Sequence, residues 1–98
     1  MAYQDFLRED MRLVILRILA ELPAYRANSS ILVKALERFG FTPTRDSVKT
    51  EILWLHEQGF VNAEDIGPVL VATLTERGAD IASGRARAGG ISRPSAGG

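Results

Sequence analysis

Apolar residues recur at helical spacing through the first quarter of the chain. Leu7, Met11, Val14, Ile15, Ile18, Leu19 and Leu22 fall on one broad face, which predicts a helix over residues 5–22. Leu13 and Leu16 lie to either side and widen the stripe beyond what one buried face requires. Two readings follow: a helix deep in a core, or a helix whose second face packs on another subunit. Asp5, Glu9 and Asp10 occupy the first turns, where the helix dipole favours anions, and Pro23 ends the helix.

Residues 24–28 read as a connector with room for a very short strand. Asn28 or Ser29 caps a second helix over residues 30–39, whose apolar positions are Ile31, Leu32, Ala35, Leu36 and Phe39. Gly40 closes it and Phe41-Thr42 forms a tight turn. A third helix opens at Thr42-Pro43-Thr44, carries Val48, Ile52 and Leu55 on its underside and stops at Gln58-Gly59. Its other face begins with Arg45, Ser47, Lys49 and Thr50, all polar or cationic. Two helices joined by a tight corner, the second with a polar leading end, form a helix-turn-helix pattern suited to a DNA major groove.

Phe60 to Ala63 reads as a strand, residues 64–68 as a turn, and the alternating, β-branched run Val69 to Thr75 as the returning strand. Thr75 caps a fourth helix over residues 76–83, and Gly84 stops it. The fold class expected is α+β, mainly helical. Its element order, ααα-ββ-α, is that of a winged helix-turn-helix domain over residues 1–84. Residues 85–98, rich in Arg, Gly and Pro with one isolated Ile91, are expected to form a flexible tail.

The chain of 98 residues is one domain's length. It has no cysteine, so neither a disulfide framework nor a thiolate metal site is available. No apolar run approaches the roughly 20 residues of a membrane helix. The acidic residues near the N-terminus do not suit a secretory signal, so the cytoplasm is the expected compartment. The formal net charge is zero, with Arg85, Arg87 and Arg93 all in the tail; residues 1–84 hold 9 cationic and 12 anionic side chains, a balance of −3. That balance opposes strong DNA binding, which draws on cations near phosphates, and leaves the tail arginines as a basic arm or plain solubilising charge.

Catalytic chemistry finds no foothold. His56 is the only histidine and has no second ligand type to support a metal, so it reads as an ordinary surface or partly buried residue. Ser29, Ser30 and Ser47 lack a base partner, and Asp46, Glu51 and Glu57 read as capping and solvating carboxylates. No enzyme activity and no cofactor is expected. Trp54 sits off the centre of the Val48/Ile52/Leu55 face. It either covers the hairpin or the first helix, or anchors a subunit or partner contact together with Leu53.

The run SVKTEILWLHEQGFV, then a hairpin, then LTERGADIASG resembles winged-helix regulators of the ArsR and MarR type. The segments Trp54 to Gly59 and Leu74 to Gly78 resemble more closely small winged-helix proteins of Mu-like phages and prophages, over about residues 5–94. The resemblance implies a transcriptional regulator that binds double-stranded DNA, and the polar leading end of the third helix makes Arg45, Ser47, Lys49 and Thr50 the residues that would face the groove. The wide apolar stripe of the first helix points to a homodimer built on residues 5–22, with the fourth helix as a further contact. Leu13, Leu16, Leu53 and Trp54 are the candidate dimer or partner contacts on the residue pattern. Two departures stand out: the metal-binding cysteines of ArsR sensors are absent, and the wing tip carries Glu64 and Asp65 in place of Arg or Lys. They support an alternative, an adaptor that keeps the fold, does not bind DNA directly and docks a phage or host protein.

Overall fold

The computed structural model describes residues 2–94. Helix α1 spans Ala2–Glu21 and α2 spans Ser29–Arg38. Helix α3 spans Arg45–Glu57, and α4 spans Glu76–Ser83. Strands β1 (Arg26–Asn28), β2 (Val61–Ile66) and β3 (Val69–Leu74) form one antiparallel sheet in the order β1-β3-β2. The architecture is α+β and mainly helical, with β1 as an addition to the expected element order. Its side chains carry almost no periodic signal, because a three-residue strand shows only Ala27 as an apolar position. Backbone pairing makes the strand: Arg26, Ala27 and Asn28 sit opposite Thr73, Ala72 and Val71. A short 3₁₀ turn, Pro23–Tyr25, aims it there, with Ala24 and Tyr25 both at φ 57°.

The helix starts are fixed by side-chain caps. Asn28, not Ser29, caps α2 by accepting from the Ile31 N–H at 2.8 Å. Ser29 is instead buried, and its hydroxyl accepts from the Leu70 N–H, tying α2 to β3. Thr44 and Ser47 form a reciprocal capping box at the start of α3. Thr75 accepts from the Gly78 N–H and donates to the Gly59 carbonyl at 2.7 Å, so one hydroxyl joins the ends of α3 and α4. Gly78 allows that junction to close, because a Cβ there would lie 2.0 Å from the Phe60 carbonyl oxygen.

The core lies between the four helices and the sheet, with Ile81 and Ala82 of α4 and Ile91 among its members. Ile15, Leu16, Leu19, Leu32, Leu36, Val48, Ile52, Leu55 and Val61 are fully buried. Leu13 is 4% exposed. Leu13 and Leu16 therefore belong to the chain's own core and are not partner contacts. Their width in the stripe reflects burial of α1 on more than one side within a single subunit.

Residues 85–94 are not a free tail. They turn back across α1: the Ser92 N–H donates to the Glu9 carbonyl at 3.2 Å, and Ile91 is buried at 7% exposure. One isoleucine is a weak compositional signal, yet its burial is joined by backbone and guanidinium hydrogen bonds that composition does not display. The remainder of the expected tail, residues 95–98, lies outside the described residues.

Candidate functional site

Helix α3 has an inner and an outer face, with different chemistry. The inner face buries Val48, Ile52 and Leu55, and with them Glu51 at 5% exposure. The Glu51 carboxylate accepts from Arg12 Nε at 2.6 Å and lies 3.5 Å from Arg8 Nε. The Arg12 guanidinium stacks over the Trp54 ring, 3.9 Å from its centroid, and donates to the Gly90 carbonyl at 2.8 Å. Arg12, Glu51, Trp54 and Gly90 thus form one charge-assisted, stacked cluster joining α1, α3 and the C-terminal segment. Glu51 is neither a capping nor a solvating carboxylate. Trp54 covers the first helix, stacked under Arg12, and its ring is half-buried.

The outer face starts with the four residues expected to meet DNA. The Ser47 hydroxyl is occupied in the capping box with Thr44. The Thr50 hydroxyl donates back to the Asp46 carbonyl. Lys49 is half-buried, and its ammonium donates to the Pro68 carbonyl at 2.8 Å. Arg45 is exposed and has no side-chain hydrogen bond or ion pair among the described residues. Of the four, Arg45 alone presents an unengaged polar group. The centre of this face is Asp46, Thr50, Leu53 and Glu57, all exposed at helical spacing, with Leu53 at 47%.

The hairpin flanks this face. At the end of α3 the Ala63 N–H donates to His56 Nδ1 at 3.2 Å, and nearer its start Lys49 holds the hairpin turn. Strand β2 is thereby pinned along the helix between His56 and Lys49. It presents Glu64 and Asp65 to solvent, with Ile66 47% exposed. The surface combines exposed apolar residues with a carboxylate rim.

Among the described residues no three His, Asp or Glu side chains gather as metal ligands, and no helix is long and apolar enough to cross a membrane. No protein-family model and no solved structure matches the chain. It is 48% identical over 90 residues to the uncharacterized protein gp26 of Escherichia phage Mu, covering 92% of this chain and 93% of that protein. The chain belongs to the phage Mu gp26 family. An uncharacterized protein of Haemophilus influenzae strain Rd is 38% identical over 78 residues, 79% of this chain and 76% of that protein. The gp26 family membership agrees with the Mu-like resemblance of the sequence.

The sequence reading missed Arg12 and Glu51, although a signal was present. Glu51 follows Val48 by three residues and precedes Leu55 by four, so it shares the register of the buried face. Arg12 stands one turn before Ile15 and Leu16 in the same way. Opposite charges, each at a core position of a different helix, are a pattern for a buried pair.

Proposed function

We propose that the chain is a winged-helix protein-docking module of Mu-like phages, and that it engages its partner through the outer face of α3 and the adjoining hairpin. The element order, the tight α2–α3 corner and the hairpin packed on α3 support the winged-helix reading. The carrying observation is the composition of the outer face. Leu53 and Ile66 are exposed among Asp46, Glu57, Glu64 and Asp65. An apolar centre with a polar rim is the anatomy of a protein interface, and its carboxylates select a partner whose own apolar patch is rimmed by Lys or Arg. Duplex phosphates meet net repulsion here, since Arg45 and Lys49 face four carboxylates and Lys49 is engaged by Pro68.

Direct DNA recognition is the second reading, favoured by the unengaged Arg45 at the leading end of α3. Titration of the full chain against random duplex DNA at about 50 mM salt, where electrostatic binding is strongest, separates the two. The docking reading expects no measurable affinity. It further expects that proteins captured from infected cells by the parent are lost with Leu53→Asp and retained with Arg45→Ala. Salt-sensitive DNA binding that falls with Arg45→Ala would overturn it in favour of a DNA-binding regulator.

A further inference from the structure

The far side of α1 carries a second surface. An open groove of about 790 Å³ lies between α1, the end of α2 and α4, with Val14, Ile18, Leu22 and Ala82 among its apolar lining residues and Arg17 and Arg38 beside them. Phe39 borders it and is 63% exposed. At the other end of α1, Tyr3 and Phe6 are 72% and 59% exposed. With about 3.6 residues per turn, Tyr3, Leu7, Asp10, Val14, Arg17 and Glu21 share one stripe of the helix. The exposed aromatic end and the groove are therefore two halves of a continuous strip.

We propose that a second copy of this chain covers the strip, with the two α1 helices antiparallel about a two-fold axis beside Val14. Charge chooses the occupant and its direction. The N-terminal half of the strip carries Asp10, whereas Arg17 and Arg38 stand at the groove, with Glu21 at its far end. Neither Asp10 nor Arg17 has an ion-pair partner among the described residues. In the antiparallel arrangement Asp10 of each copy faces Arg17 of the other, so the pair forms twice, as an isologous contact requires. A parallel arrangement sets Asp10 on Asp10 and Arg17 on Arg17, and it aligns the helix dipoles unfavourably. The antiparallel fit also delivers Tyr3 and Phe6 of one copy to the groove of the other, beside Phe39. This face is separate from the outer face of α3, so the pairing is independent of what α3 binds and presents two such faces per dimer.

Sedimentation velocity of the full chain at tens of micromolar tests it, with circular dichroism to confirm folding. The parent is expected to be a dimer. Asp10→Arg and Arg17→Asp should each weaken dimerisation by about tenfold or more, and the double reversal Asp10→Arg/Arg17→Asp should restore it, since only opposed charges are exchanged. The chain has no native cysteine, so engineered thiols report cleanly. Under mild oxidation Val14→Cys should form a covalent dimer and Tyr3→Cys should not. A monomeric parent, single reversals that dimerise like the parent, a folded double reversal that stays monomeric, or Tyr3→Cys cross-linking as readily as Val14→Cys would each overturn the proposal.

Discussion

Along one flank of α1, Glu9 and Arg12 are met by residues 90–92, by Glu51 and by Trp54. Along the other, Tyr3, Phe6 and Leu7 stay exposed and Val14 and Ile18 border an open groove. The flank whose guanidinium is paired and stacked, that of Arg12, is the better buried. A lone apolar residue loses little at a wet surface, whereas Arg12, stacked and hydrogen-bonded on three sides, fixes the geometry of everything touching it. Closure here follows directional polar contacts more than apolar area.

The largest test of that contrast removes the anion. Glu51→Ala leaves the Arg12 side chain, 11% exposed, without its carboxylate. The expected loss is about 3–5 kcal/mol in urea unfolding, the cost of leaving one partner of a buried pair. A loss under about 1 kcal/mol would place the pair with exposed ion pairs and break the contrast. Next, Ile91→Ala should cost about 2 kcal/mol, the low end for a buried isoleucine, since the segment can relax. Amide exchange should quicken at Ser92, whose N–H is held by Glu9. Thr75→Ala removes a cap and the bond to Gly59, with about 1–2 kcal/mol expected in a thermal melt. On the open flank, Phe6→Ser should change monomer stability by less than about 0.5 kcal/mol, as for an exposed residue without special contacts. A larger loss, measured below the concentration at which copies associate, would mean that this flank is also closed within one subunit.

Much of the fold was legible in the residues. The underside of α3 and the Thr44 and Thr75 caps coincide with the periodicity and capping signals, and so does the hairpin, except that β2 continues through Glu64, Asp65 and Ile66, which read as turn and are paired with β3 through their backbone. Strand β1 was legible only as room for a very short strand in residues 24–28, and its pairing with β3 was not, because three residues paired through their backbone leave no side-chain pattern. The stripe of α1 gave the apolar residues but left open which of them the chain itself buries. Leu13 and Leu16 turned inward, while Tyr3 and Phe6 extend along the uncovered side. Periodicity measures how much of a helix is apolar, not whose atoms lie against it. At the outer face, Arg45 could be read from type and position. The engagement of Lys49 by Pro68 depends on the hairpin lying alongside α3, which no local spacing encodes.

The bond from Ser92 to Glu9 also sets an order of events during synthesis. Translation releases the chain from its N-terminus, so α1 leaves the ribosome long before the residues that cover it. A contact of such sequence separation closes late, after the loop entropy of nearly the whole chain has been overcome. A chain ending just past Gly84 is therefore expected to keep every helix and strand described above and to leave one side of Arg12 and Trp54 uncovered.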